Sequence, residues 1–461
     1  MEITTSIIPT SQTFAKVDAP SELNLEAICV FAAIGFFLDR DTYIKNQIVL
    51  PPASKNSISK EGYLESSKSW FQWYYEPRDI SFAEALNEFT ELFEGIIAEQ
   101  TKDQTVILPL SGGLDSRTQA AALKSINANV NAYSYEFRNG YSETKIAKKI
   151  ADRCGFAFES HKIESGYLWP MLDALVQLNK GYSDFTSPRQ MALFNKYEDM
   201  GDIFSLGHWG DVLFDSMHVN QLSNDEELEV VLEKLLKRGG MNFAQNLWDI
   251  WGLNGNFKTY FKERIFDLLN TINISDFNAK IRAFKSKYWA PRWTAINLAI
   301  YEAKKPIAVP YFDDRMCQFI CTIPEEYLMD RKLQIAYVKE RAPELAKITW
   351  QDQRPFNLIN FHKNRVPYNL PYKIFNRIKR DLNGLIGNSY VQRNWELQFL
   401  GKQNEEHLRS HLQNFKMPEL LPKSFVDQYL DDFTTRDQLS NAHAINMLLV
   451  LSTLDPNLLN D

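Results

Sequence analysis

The spacing of apolar and polar positions changes along the chain, and each change marks an element. Thr105 to Leu110 is a short apolar run in which Val106, Ile107 and Leu108 read as a buried strand. Ser111-Gly112-Gly113 follows as a turn, and the alanine-rich stretch from Asp115 to Ile126 reads as a helix starting at that turn. Glu226 to Leu236 and Trp293 to Lys304 alternate apolar and charged residues at a helical period, with Pro306, Pro310 and Pro324 punctuating the connections. Glu405 to Phe415 and Ala442 to Leu451 read as amphipathic helices. Near the start, the apolar run Ile28 to Leu38 precedes Ile48-Val49-Leu50-Pro51-Pro52 and an aromatic cluster at Trp70, Phe71, Trp73, Tyr74 and Tyr75, expected to fill a core or an interface.

The strand, turn and helix around Leu110-Ser111-Gly112-Gly113-Leu114-Asp115-Ser116-Arg117 carry the clearest chemistry. Glycine peptides and the free N–H groups of a first helical turn point into one space and form a nest for polyphosphate, to which Ser111 and Ser116 add hydroxyls. Bare phosphate would repel Asp115, so the carboxylate implies Mg²⁺ between it and the phosphate oxygens. The plain alternative is an ordinary turn with an acidic residue favouring the helix dipole. The spacing differs from G-x-x-x-x-G-K-[ST], and no lysine follows the glycines, so a generic nucleoside triphosphatase is a poor match.

The motif resembles S-G-G-x-D-S of the PP-loop ATP pyrophosphatases, and further blocks narrow the resemblance to the asparagine synthetase family, from about Phe82 to Phe356. Val130 to Tyr135 is similar to the family's adenine-side strand, Ser142 to Ala151 to the helix after it, and Phe156 to His161 gives another strand. Ile203 to Phe214 resembles V-L-S-G-E-G-x-D-E-L-F, which puts Asp211 on the aspartate of the magnesium-pyrophosphate site. Val309 to Arg315 resembles P-F-L-D-x-R. The resemblance implies an α/β fold: a Rossmann-like PP-loop parallel sheet with flanking helices and a helical C-terminal region. It divides the chain into a glutaminase-like remnant at 1–80, a PP-loop domain at 81–360 and a helical extension at 361–461.

It further implies ATP and Mg²⁺ as cofactors. Leu110, Ser111, Gly112, Gly113, Leu114, Asp115, Ser116, Tyr135, Leu206 and Gly207 would border the nucleotide, and Asp115 and Asp211 would hold the metal. Two carboxylates from different strand ends suit that task on physical grounds too, although Asp211 taken alone is ordinary turn chemistry. Asp115, Asp211 and Arg354 are the expected catalytic residues. Gln353 falls where the family has a mobile-loop lysine, and Arg354 or Lys339 would supply the positive charge instead. Val212 replaces the glutamate after the aspartate, and His208-Trp209 an acidic-glycine pair.

The family's glutamine-hydrolysing members begin Met-Cys, whereas this chain reads Met1-Glu2-Ile3, and none of Cys29, Cys154, Cys317 and Cys321 lies near the start. The expected activity is therefore an amide-bond ligase that activates a small-molecule or peptide carboxylate as an acyl-adenylate, releases AMP and pyrophosphate, and has no glutaminase of its own. Nitrogen would come as ammonia, from a separate amidotransferase, or as an amine on the substrate. The last option describes a macrolactam-forming cyclase or another biosynthetic amide synthetase. A nucleotide-binding homologue without catalysis is the remaining alternative.

Composition changes this picture little. Against 58 Asp and Glu stand 51 Lys and Arg, a net charge of −7 that disfavours nucleic acid as a partner. Lys373, Arg377, Lys379 and Arg380 lie at helical spacing near Ile374 and Ile378, which reads first as a solvated helix face and second as a patch for a partner or membrane surface. No apolar run reaches membrane-spanning length and no signal core is visible, so a cytoplasmic location is expected. The cysteines lack a CxxC pair, and His407 and His411 lack the glutamate of H-E-x-x-H, so neither suggests a metal site.

Overall fold

The computed structural model describes residues 1–216, 222–385 and 390–455. Its centre is a five-stranded parallel sheet in the spatial order Ile307–Ala308, Ile203–Ser205, Val106–Pro109, Val130–Phe137, Ala157–Ile163. Val106, Ile107 and Leu108 are wholly buried because their strand lies in the middle of that sheet with helices over its faces, the setting that favours an unbroken apolar run. The chain runs outward from this strand through helices Leu114–Ser125 and Thr144–Cys154, then returns to lay Ile203–Ser205 on the opposite side. The sheet therefore has a switch point between Val106–Pro109 and Ile203–Ser205, where the segments leaving the two carboxyl ends diverge and open a crevice.

Two large apolar clusters hold the molecule together. One surrounds the sheet and includes Phe89, Phe93, Leu108, Tyr311 and Tyr337. The other is helical and joins Ile28 to Phe37 with Phe243, Leu247, Leu408 and the run Ile445 to Leu451. Helix Leu25–Ile34 is apolar on every side from Ala27 onward because that part is enclosed on every side; it is capped by the Asn24 side chain and ends at Gly35, whose φ is 83°. The first 80 residues are thus packed into the same core as residues beyond 361. Trp73, from the aromatic cluster, contacts both apolar clusters and sits where they meet.

The expected helices at 226–236, 405–415 and 442–451 appear as Asn224–Leu235, Lys402–Gln413 and Gln438–Ser452. The one expected over 293–304 appears as Ala295–Glu302, entered from a segment of another form. Lys285–Thr294 is a π-helical segment carrying Pro291, and regular α-helix begins only at Ala295. Proline removes one backbone donor and crowds the preceding turn, which the wider π geometry accommodates. No helix among the described residues is long and apolar enough to cross a membrane.

Candidate active site

The cradle sits at the carboxyl end of the central strand. Gly113 caps helix Leu114–Ser125 with extended backbone and no side-chain acceptor, so the first-turn N–H groups face outward without a capping partner. Inside the turn, Ser111 N–H donates to Ser116 Oγ at 3.1 Å, the two hydroxyls are 2.9 Å apart, and Gly113 N–H donates to Ser111 Oγ at 3.2 Å. A residue far along the chain completes the loop. Gln351 Oε1 accepts from Gly112 N–H at 3.0 Å, and Gln351 N–H donates back to Gly112 O at 3.0 Å. A side chain at position 112 would collide with this glutamine, its Cβ lying 2.7 Å from Oε1. Arg117, fully buried, fixes the same segment by donating to the carbonyls of Gly112, Leu345, Ile348 and Thr349 at 3.1, 3.3, 2.8 and 2.7 Å.

Asp115 points across the switch point. A methyl group at Gly210 would overlap its Oδ1, and one at Gly207 would lie 3.2 Å from its Cβ, so the loop after Ile203–Ser205 passes against this carboxylate because it is glycine-rich. Between the two glycines Trp209 adopts φ of 79°, a left-handed conformation costly for a non-glycine residue, held by an indole hydrogen bond to Ser286 Oγ at 3.0 Å. Asp211 follows, close enough for its charge to raise the pKa of Asp115. Burial contributes most to that rise, and Arg331 opposes it. Arg331 donates to Asp115 Oδ1, and Gln334 Nε2 donates to the same oxygen at 3.2 Å and to Tyr311 OH at 2.8 Å. Burial alone would lower the Arg331 guanidinium, but Asp115 and Asp211 more than reverse this. Lys285 also faces Asp211, with its ammonium pushed down by burial.

Next to the cradle lies a cleft of about 360 Å³ lined by Tyr135, Glu143, Arg189 and Arg354, among others. The Arg354 guanidinium stacks 3.5 Å above the Tyr141 ring, and its buried Nη1 has no hydrogen-bond partner among the described residues. Burial raises the Glu143 carboxyl, against the pull of Arg189, a hydrogen bond from Gln351 and the charge of Arg354. Gln351 thus links the cleft to the cradle.

The asparagine synthase family model matches residues 88–417, which include the cradle, the Asp211 loop, Arg331 and the Gln351 segment. The chain belongs to the asparagine synthase family. No protein of curated function matches it. Among solved structures it is similar to the NMN synthetase from Francisella tularensis, at 14% identity over 45% of this chain and 92% of that one, with a TM-score of 0.23, a likeness too slight to carry an argument. Membership makes the chain, at family level, an ATP-dependent amidating ligase.

The fold brings together Asp115, Asp211, Gly207 and the glycines and serines of the cradle. Leu206 lies beside them, buried, its N–H donating to Ala308 O at 2.9 Å. The loop residues fall differently. Gln353, aligned with the family lysine, accepts from Asn364 Nδ2 at 2.8 Å, while Gln351 touches the cradle. Arg354 lines the cleft with Tyr135, away from the Asp115–Asp211 pair, and Lys339 is exposed toward the far end of helix Lys332–Arg341. The cation on Asp115 is Arg331, which precedes that helix. Sequence reasoning missed it because Asp330-Arg331-Lys332 looks like a solvated charge run.

Proposed function

We propose that this chain forms AMP and pyrophosphate while activating a carboxylate as an acyl-adenylate, which an amine or ammonia then attacks to give an amide. The observation that carries this reading is the meeting of Asp115 and Asp211 across the switch point, directly beside an open helix N-terminus. Asp115 and Asp211 are the residues that would hold a magnesium ion beside the phosphate nest; among the described residues no group of three or more His, Cys, Asp or Glu forms a self-contained metal cage. Magnesium bound there would supply charge neutralisation for pyrophosphate as a leaving group.

The protein's own groups do the rest. Ser111, Gly112, Gly113 and Ser116 hold phosphate oxygens, and Leu110, Leu114, Tyr135, Leu206 and Gly207 border the nucleoside. Arg331, which donates to Asp115, and Lys285, which feels the charge of Asp211, offset developing negative charge in a partly dry site. Arg354 and Arg189, in the adjoining cleft, hold the acceptor carboxylate. None of the four thiols suits nucleophilic attack on glutamine: burial raises Cys321 to about 11 and Cys154 to about 12, and pushes Cys29 and Cys317 up as well. Nitrogen is therefore delivered as ammonia, by a separate amidotransferase, or as an amine on the substrate.

One pair of contacts favours the reading in which the protein binds nucleotide without catalysis. Arg331 already engages Asp115, and Gln351 already occupies Gly112 N–H. Product analysis separates the two. Incubation with ATP, magnesium and a panel of carboxylates plus ammonium should yield AMP and pyrophosphate, with no glutamate released from glutamine. ADP and phosphate would contradict the adenylate, and ATP binding without turnover across the panel would favour the non-catalytic reading.

A further inference from the structure

We propose that the segment Val366 to Ile378 docks this protein on an anionic lipid surface, its helix lying in the plane of the interface. Six of the eleven large apolar side chains exposed among the described residues fall in this stretch: Val366, Tyr368, Leu370, Ile374, Phe375 and Ile378, each between 45% and 67% exposed. Isolated exposed apolar residues are normal in a folded protein, whereas half of them gathered on one segment mark a contact surface. Leu370, Ile374 and Ile378 succeed one another at intervals of four along helix Leu370–Leu385, and Phe375 stands beside them, so they share a face. Nothing among the described residues covers that face.

Charge identifies the occupant. Residues 353–380 contain seven Lys and Arg and no Asp or Glu, within a chain whose net charge is −7. Removing those seven from the total of 51 leaves 44 basic against 58 acidic residues elsewhere, so the segment is a basic island on an acidic protein. Lys363, Arg365, Lys373 and Arg377 are all exposed, and no ion pair holds them among the described residues. The side chains of Lys379 and Arg380, the other two basic residues expected at this spacing, lie outside the described ones. Bulky apolar groups bordered by cations that form no ion pair among the described residues match an amphipathic helix lying at the headgroup boundary, apolar face inward and basic residues among anionic headgroups. A second copy of the same surface would set like charges against each other, because a two-fold interface pairs each patch with itself. Nucleic acid would leave Ile374, Phe375 and Ile378 in water. The helix has 16 residues, about 24 Å at the usual rise, too short to cross the bilayer.

The test is co-sedimentation of the full chain with vesicles of phosphatidylcholine alone or mixed with phosphatidylglycerol. The protein should pellet with the mixed vesicles and stay in solution with the zwitterionic ones. Binding should weaken at least about tenfold between about 0.1 M and about 1 M salt, as the screening length shrinks from about 10 Å to about 3 Å. Phe375→Glu with Ile378→Glu, at exposed positions that leave the melting temperature unchanged, should abolish pelleting. Lys373→Ala with Arg377→Ala should cut partitioning about thirtyfold. Absence of wild-type binding to the mixed vesicles, undiminished binding by the Glu pair, or a wild-type dimer that the Glu pair dissociates would each overturn the proposal.

Discussion

The Arg331 guanidinium donates to Oδ1 of Asp115 and ties the start of helix Lys332–Arg341 to the first turn of the cradle helix. Both side chains are largely buried, at 9% and 23% exposure, so neither charge is fully solvated without the other. Removing one partner of such a pair strands the other. Arg331→Met should lower unfolding free energy by about 3 kcal/mol in a denaturant titration. Arg331→Met combined with Asp115→Asn should cost less than the sum of the two singles, because the second change removes the stranded charge. Strict additivity would mean that the pair is not coupled.

Gly210 lies where any side chain would overlap the Asp115 carboxylate and approach Tyr311, whose Cε2 would be 2.9 Å from the added Cβ. Gly210→Ala should therefore turn Asp115 away from Asp211 while leaving the fold intact. The expected outcome is a fall in kcat of about a hundredfold, the scale of misplacing a reacting group by about 1 Å, together with a lower melting temperature because the Asp115–Arg331 pair is disturbed as well. Full activity in this variant would show that the carboxylate position does not matter.

Gln351 competes with phosphate for the Gly112 N–H. Gln351→Ala removes that competitor and frees a donor, a change worth about 1 kcal/mol. ATP should bind about fivefold more tightly, measured by calorimetry. Weaker binding would assign Gln351 to holding ATP instead of holding its place.

His443 offers a pH test away from the site. Its Nε2 lies 2.8 Å from Ala32 O, an acceptor only, so Nε2 carries a proton. Burial depresses its pKa below 6.5; the Ala32 carbonyl and Asp184 oppose the shift, and Lys237 adds to it. The unfolded chain then binds a proton that the folded chain refuses, and stability falls as the pH drops below about 6.5 toward the lowered folded value. Above that window this contribution is fully present. His443→Gln should flatten the decline between about pH 6.5 and pH 5 relative to wild type, and identical profiles would exclude the histidine as its source.

The parts of the site that are local in sequence were legible there. An apolar run ending in Ser-Gly-Gly specifies strand, turn and helix within about a dozen residues, and the Asp211 loop repeats the logic on the neighbouring strand. Arg331 was invisible because its role exists only after helix Lys332–Arg341 docks against Leu114–Ser125. Gln351 and Gln353 stand two positions apart in one short loop, and nothing local tells which of them meets Gly112; Arg117, buried through four backbone carbonyls, decides it by fixing the loop. The apolar run at Ile28 announced a buried helix, yet its neighbours lie some 200 and 400 residues further along at Phe243 and Ile445, a separation no local pattern encodes. The helical period over 293–304 pointed to the helix Ala295–Glu302 and was silent about the π geometry that leads into it.

Exchange of labelled pyrophosphate into ATP tests the central claim most directly, because only reversible adenylate formation returns label to ATP. Wild-type protein with magnesium and its carboxylate substrate should catalyse exchange without ammonia, and Asp115→Asn or Asp211→Asn should each reduce the rate by about a thousandfold. Exchange undiminished in both variants would contradict the assignment of these two aspartates to a magnesium-pyrophosphate site, and AMP formation from wild type with no carboxylate-dependent exchange at all would contradict the adenylate.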